Sequence, residues 1–89
     1  MTVHHLKIKP EYLEAVASGK KTFELRRDDR GFKVGDTLLL ELVDAPDCFA
    51  AVEVTYILRN VPEYGLEPGY AILSIKPCGY RVPGQVVPQ

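Results

Sequence analysis

Three charged side chains, those of Lys21, Glu24 and Arg26, stand close together in the run from Gly19 to Arg26, GKKTFELR. Residues two apart on a β-strand point to the same face, so Glu24 and Arg26 share a face and Lys21 enters from the turn before it. A guanidinium can donate two hydrogen bonds to a phosphate or a base edge, an ammonium adds a compact charge, and a carboxylate accepts from an exocyclic amino group. This combination suits a nucleotide.

The same three residues are open to two other interpretations. In a hydrolase, a desolvated Lys21 or Glu24 would serve as general base to activate water, and Arg26 would stabilise an oxyanion. Without any ligand, they would form a solvated strand face with cross-strand ion pairs worth a few tenths of a kcal/mol, on the order of 0.3 kcal/mol each. The residue chemistry alone leaves these alternatives open.

Two further residues are candidates for ligand binding. Arg30 lies in the charged stretch RDDR and could contact a phosphate, whereas the neighbouring aspartates at 28–29 are expected to hold the loop by bonding nearby amides. Among the tyrosines, Tyr64 falls in a predicted loop and could stack on a base, while Tyr56 and Tyr70 are expected to fill the core. The candidate ligand-binding set is therefore Lys21, Glu24, Arg26, Arg30 and Tyr64.

Histidine and cysteine give no pattern for a metal or a disulfide. His4 and His5 are adjacent on a predicted strand and point to opposite faces, and no third ligand accompanies them. Cys48 and Cys78 form no CxxC or Cys/His motif and are expected to be free thiols. The sequence therefore predicts neither a metal site nor a cofactor.

Composition limits the classes of function. Eighty-nine residues, 46% of them apolar, fit a single globular domain with a surface cleft better than one with a deep tunnel. A formal net charge of -1 argues against a broad polyanion-binding surface, so any nucleic-acid contact must be local. No apolar run approaches the roughly 20 residues of a membrane span and no signal segment is evident, which predicts a cytoplasmic protein without a membrane partner. The oligomeric state stays open.

The elements that position the charged run can be assigned from periodicity. Residues 3–9 alternate as a half-buried strand, and Pro10 begins a helix over about 10–18 with an apolar stripe of helical period. Gly19 supplies the left-handed residue that ends the helix. Alternation then returns at 21–26, where Phe23 and Leu25 face away from Glu24 and Arg26, which predicts a second strand.

The rest of the chain favours strands. An apolar run at 37–43 suits a central strand, alternation at 50–58 predicts another, and 70–76 gives a final strand after a loop at 59–69. Five strands with one helix after the first and no βαβ rhythm indicate an α+β domain built as a small barrel.

The predicted domain covers residues 1–78. The following segment, residues 79–89, is low in charge and carries prolines and a glycine. Such a segment is expected to lie extended along the barrel or to be flexible.

Gly19, Lys21, Glu24 and Arg26 stand in the pattern G-x-K-x-x-E-x-R, after H-L-K-I-K-P-E-Y-L-E-A-V at 5–16 and before F-K-V-G-D at 32–36. These motifs resemble those of ASCH domains, a branch of the PUA-like superfamily, and of their DUF3850 subgroup in phages and bacteria. The resemblance covers roughly residues 4–76. It implies a PUA-like β-barrel and a module that binds RNA or a nucleotide in a cleft beside the barrel.

Some relatives in that superfamily hydrolyse an acylated amino group on modified cytidine. The resemblance thus implies, as an alternative, a small nucleoside amidohydrolase with Lys21 and Glu24 as its catalytic residues. Those relatives have a threonine at the position of Glu24 and use a glutamate late in the chain, for which Glu63 and Glu67 are the nearest counterparts. A third alternative is a phage or bacterial protein-interaction domain that uses a strand edge or the carboxyl tail.

Overall fold

One mixed β-sheet and one helix make up the fold in the computed structural model, which describes residues 1–82 and 85–88, with side chains for residues 1–79. The elements in chain order are β1 (Val3–Ile8), α1 (Pro10–Ala17), β2 (Phe23–Arg27), β3 (Thr37–Leu42), β4 (Phe49–Leu58), a 3₁₀ turn (Pro62–Tyr64), β5 (Tyr70–Val82) and β6 (Gln85–Pro88). The helix and the five strands predicted from periodicity are all present, which confirms an α+β domain.

The sheet has the strand order β1-β3-β4-β5-β2, and β6 pairs with the far end of β5. β1 and β3 run parallel, and the other pairs are antiparallel. The sheet curls into a half-barrel, so that β1 and β2, at its two edges, come within reach of one arginine side chain. Arg26 of β2 donates from Nη2 to the main-chain oxygen of Lys7 on β1 over 2.9 Å.

The core lies on the concave face of the sheet, where α1 packs. Leu13 and Val16, the helical stripe expected from the sequence, are buried against β3, β4 and β5. Phe32 and the inward-facing strand residues complete this core; the strand residues are Leu6, Ile8, Leu38, Leu40, Ala50, Val52, Val54, Ala71, Leu73 and Ile75. Burial of one leucine, isoleucine or valine side chain stabilises a fold by about 1.5–3 kcal/mol. Since Lys9 makes no side-chain capping bond to α1, this packing holds the helix in place.

The exit from α1 delivers the charged run into β2. Gly19 has a φ of 80°, a left-handed conformation that costs little for glycine. The amides of Lys20 and Lys21 both donate to the carbonyl of Ala15 over 3.0 Å, so the chain reverses direction within a few residues. Among the described residues, no helix is both long and apolar enough to cross a membrane.

Tyr56 does not enter the core, and that expectation was wrong. The pairing of β4 with β5 shifts register between Val54 and Tyr56, so the alternation that places Val52 and Val54 inside is broken at this point. Tyr56 therefore lies on the outer face, with 61% of its surface exposed. Its pairing partner Ser74 is also on that outer face.

β5 is longer than its predicted range of 70–76 and continues to Val82. Pro77 suggests an end to the strand, since it lacks an N–H, yet it sits beside a register shift at Ala51 and Val52 of β4 that accommodates it. Within the predicted tail at 79–89, the described backbone forms a hairpin in which Gly79–Val82 pairs with Gln85–Pro88. Over the described residues, the sheet thus has six strands where the sequence predicts about five.

Candidate functional site

A cleft of about 450 Å³ opens between the end of β1, the start of α1 and the edge strand β2. It lies where the two edges of the half-barrel approach each other. The residues that line it are Lys7, Ile8, Lys9, Tyr12, Lys21, Phe23, Glu24, Leu25 and Arg26. The structure therefore brings together Lys21, Glu24 and Arg26, the three residues that the sequence places at one site.

Glu24 is the buried centre of this cleft. Its side chain is only 5% exposed, because Glu24 pairs with Leu73 of β5 and points to the concave side of the sheet. Lys21 Nζ donates to Glu24 Oε1, and Arg26 Nε donates to Glu24 Oε2 over 2.9 Å. A buried carboxylate with a cation on each oxygen is unlike a solvated strand face, and that interpretation was wrong.

Lys21 is fixed by more than its ion pair. Its ammonium group donates to the carbonyl of Phe23 over 2.7 Å and lies 4.8 Å from the centroid of the Phe23 ring. It also lies 5.6 Å from the centroid of the Tyr12 ring. An ammonium has three N–H donors, so one remains beyond the bonds to Phe23 and Glu24. Lys21 can offer that donor to a ligand from a fixed position.

Arg26 and Arg30 both reach the outer edge of β1, which pairs with no strand of the described residues. Arg26 donates to the carbonyl of Lys7 over 2.9 Å, and Arg30 Nη1 donates to the carbonyl of His5 over 3.3 Å. These carbonyls belong to alternate residues of an edge strand, so the two guanidinium groups bond where a further strand would pair. Arg30 thus lies at the seam between the sheet edges, outside the cleft lining.

The cleft is positively charged. Lys7, Lys9, Lys21 and Arg26 line it with four cations, against the single carboxylate of Glu24. Lys7 and Lys9 were missed in the sequence, although they stand two apart on β1 and its extension, a spacing that predicts a shared face. An excess of positive charge in a cleft attracts an anionic ligand.

Tyr12 and Phe23, rather than Tyr64, are the aromatic residues of the cleft. These two residues are 46% and 47% exposed, so both are partly open to solvent. Tyr64 is 83% exposed on the 3₁₀ turn after β4 and is not among the lining residues. Phe23 lies between Lys21 and Glu24 in the sequence, and this position could have indicated that it belongs to the cleft.

A family model covers most of this chain. The family described as "Domain of unknown function (DUF3850)" matches residues 3–75, a range that includes every residue lining the cleft. The chain belongs to the DUF3850 family. A relative from Escherichia phage P2, "Uncharacterized 12.9 kDa protein in GpA 3'region", is 42% identical over 38 residues. That alignment covers 43% of this chain and 35% of the phage protein, so it spans about a third of the relative.

A second polar cluster of this DUF3850 domain surrounds Asp36 and is structural. The buried Asp36 carboxylate bonds His4 Nε2 over 2.8 Å and accepts from the amides of Lys33 at 3.0 Å and Thr2 at 3.2 Å. The hydrogen bond from His4, followed by those from the two amides, holds the pKa of Asp36 below its usual value despite burial. The cluster ties the start of β1 to the turn before β3.

The loop after β2 is held differently from the way the sequence predicts. Arg59 donates to both oxygens of Asp28, from Nε over 2.7 Å and from Nη2 over 3.2 Å, so Asp28 holds its loop through an ion pair and not through bonds to nearby amides. His4 and His5 point to opposite faces, one buried and one exposed. Within the described part of the chain, no three His, Cys, Asp or Glu side chains cluster as metal ligands, and Cys48 and Cys78 are free thiols.

Proposed function

We propose that this DUF3850 domain binds RNA or a nucleotide in the cleft between β1, α1 and β2. The observation that carries the proposal is the neutralised Glu24: both of its oxygens are occupied by cations that also face the cleft. The remaining hydrogen-bonding capacity of Lys21 and Arg26 is donor-only, as is that of Lys7 and Lys9. Such a site favours a ligand rich in acceptors, and a phosphate meets this requirement.

The aromatic rings support a nucleotide over a simple anion. Tyr12 and Phe23 flank the Lys21 ammonium, so a base packed against either ring would leave its phosphate within reach of the lysines. Stacking of a base on an aromatic ring contributes about 1–3 kcal/mol and tolerates different bases. Phosphate contacts give affinity without sequence preference. The proposed ligand therefore carries both a base and a phosphate.

The proposal includes a relationship to the ASCH branch of the PUA-like superfamily. It is supported by the G-x-K-x-x-E-x-R pattern from Gly19 to Arg26 and by a curled mixed sheet with one short helix after its first strand. In this relationship, the half-barrel is the PUA-like barrel and the cleft at its seam is the ligand site.

Hydrolysis of a modified nucleoside is a weaker proposal for this site. A general base needs an accessible lone pair near the attacking water. Glu24 is buried and shares both oxygens with Lys21 and Arg26, so its geometry suits a residue that positions these cations. The test is whether the protein hydrolyses N4-acetylcytidine to cytidine and acetate. Hydrolysis by the wild type that is lost in Glu24→Gln would restore the hydrolase interpretation.

Protein binding is a second candidate function, favoured by an apolar surface on the outer face of the sheet. Leu25, Ile72 and Leu58 are paired across three neighbouring strands, and Phe23 and Tyr56 flank Ser74 in the next row. Leu25, Leu58, Phe23 and Tyr56 are all exposed. A protein partner would be retained after nuclease treatment and lost in Tyr56→Glu, which lies outside the cleft, whereas an RNA-mediated partner would be lost with nuclease alone.

The binding proposal is tested by a pair of charge reversals. Lys9 and Lys20 are both exposed, and only Lys9 lines the cleft. Each change to glutamate alters the net charge equally, so Lys20→Glu controls for the overall field. Thermal shift and calorimetry with 5′-mononucleotides and short single-stranded RNAs should show binding that Lys9→Glu weakens and Lys20→Glu keeps. Equal losses in both variants, or no binding by the wild type, would refute the proposal.

A further inference from the structure

We infer that the ligand is a single-stranded segment of at least two nucleotides. It extends from the first cleft into a second cleft, which lies on the other side of the β1–α1 junction. This inference rests on the proposed function and specifies its ligand. The second cleft measures about 500 Å³ and lies between the end of β1 and the segment after β3. The two clefts share Lys7, Ile8 and Lys9 in their walls, so they are neighbours across one short piece of chain.

The second cleft has the surface that a second base requires. Its lining is mostly apolar, and the residues it does not share with the first cleft are Pro10, Leu42, Val43, Asp44 and Ala45. Apolar walls with a few polar groups are typical of sites for ring-shaped ligands, and sites of about 300–1,000 Å³ accommodate small molecules. The carboxylate of Asp44 can accept from an exocyclic amino group at the rim.

The wall between the clefts has the charge that a phosphodiester requires. Lys7 and Lys9 are exposed, flank the buried Ile8 and line both clefts, so the wall that the clefts share carries two cationic residues. A phosphate that links two nucleosides would lie on these lysines while its bases enter the clefts on either side. Along the surface, the first cleft, the lysine wall and the second cleft therefore follow one another. This order matches the base, phosphate and base of a dinucleotide.

A mononucleotide would occupy only one of the two clefts. It fills one cleft, and the apolar surface of the other stays in water. A second base in that cleft buries this surface and adds the free energy of one base contact, which raises affinity by about tenfold. The linking phosphate reuses Lys7 and Lys9, so the gain comes from the second base and needs no further cation.

Calorimetry with defined probes distinguishes a ligand that fills one cleft from a ligand that fills both. The probes are the dinucleoside monophosphates ApA, CpC, GpG and UpU, each compared with its 5′-mononucleotide. A dinucleoside monophosphate carries less negative charge than a mononucleotide, so a gain in its affinity reports the second base. We expect the preferred dinucleotide to bind the wild type about tenfold more tightly than its mononucleotide.

A matched pair of valines tests the second cleft itself. Val43 lines it and Val34 does not, and both are 61% exposed, so neither change to glutamate disturbs the core. Val43→Glu should lower the ratio of dinucleotide to mononucleotide affinity at least fivefold, whereas Val34→Glu should leave it at the wild-type value. Equal affinities of wild type for the two probes, or an unchanged ratio in Val43→Glu, would overturn the inference and leave the proposed function intact. Binding of neither probe would overturn both.

Discussion

The guanidinium of Arg26 on β2 donates over 2.9 Å to the main-chain oxygen of Lys7 on β1, and so joins two edges of the sheet that pair with no common strand. The same side chain bonds Glu24 at 2.9 Å. Arg26 therefore links the closure of the half-barrel to the cleft that forms at the closure. Because one residue serves both, stability and binding have to be measured together in variants of this site.

Removal of Arg26 is predicted to destabilise the fold. Arg26→Ala removes a bond to an edge carbonyl and leaves the buried Glu24 with one cation, at a cost of about 1.5–3 kcal/mol. Arg27→Ala is the matched control, because Arg27 is exposed on the outer face and contacts Tyr70. Its loss should change the free energy of unfolding by only about 0.5 kcal/mol. Urea denaturation of the two variants measures the difference, and equal stability would show that Arg26 does not hold the seam.

Glu24→Gln is predicted to cost about 3 kcal/mol, because it leaves Lys21 and Arg26 beside a neutral amide in a buried position. Lys21→Met removes one of those cations, so the double variant Glu24→Gln with Lys21→Met should lose less stability than the two single changes together. A double-mutant cycle from urea denaturation measures this coupling. Strict additivity would mean that the ion pair contributes nothing to the fold.

The Asp36 cluster predicts a loss of stability in acid. The folded state holds the pKa of Asp36 below its unfolded value near 4, so the carboxylate stabilises the fold above that value. This contribution is lost as the pH falls through the lowered pKa. In urea denaturation from about pH 5 to about pH 3, the advantage of wild type over Asp36→Asn should shrink. An advantage that stays constant, or grows, as the pH falls would contradict the assigned role of Asp36.

The aromatic wall of the cleft gives a prediction about affinity. Phe23→Ala removes a ring beside Lys21 and should weaken nucleotide binding by about tenfold. Tyr64→Ala is the comparison, since Tyr64 is the stacking candidate from the sequence and lies outside the lining of the cleft. Calorimetry with the preferred mononucleotide should show little change for Tyr64→Ala. A larger effect of Tyr64 than of Phe23 would place the base elsewhere.

Local rules were sufficient to predict the element that presents the charged run. Pro10 and Gly19 bound α1, and the alternation of Phe23 and Leu25 with Glu24 and Arg26 defines β2. What the alternation could not give is which face is buried. Hydrophobicity suggests that Phe23 and Leu25 point inward, but Glu24 does so, because Lys21 and Arg26 neutralise its charge at the seam. That neutralisation depends on tertiary contacts.

The remaining differences also arise from long-range pairing. Tyr56 turns outward because of a register shift against β5, and β5 extends past Pro77 because β4 offers it a partner. Lys7 and Lys9 join the cleft because β1 and β2 are neighbours across the seam, although β2 follows β1 only after a helix. Residues within one strand were predictable, and residues brought together by closure of the sheet were not.

Nucleotide binding in the cleft is tested most directly by a ¹H–¹⁵N correlation spectrum of the wild-type domain, titrated with 5′-mononucleotides and dinucleoside monophosphates. Nucleotide binding in the first cleft should concentrate amide shifts at residues 7–12 and 21–26, which surround it, and dinucleotides should add shifts at residues 42–45. Shifts confined to the outer face around residues 56–58 and 72, or no shifts with any of these ligands, would contradict it.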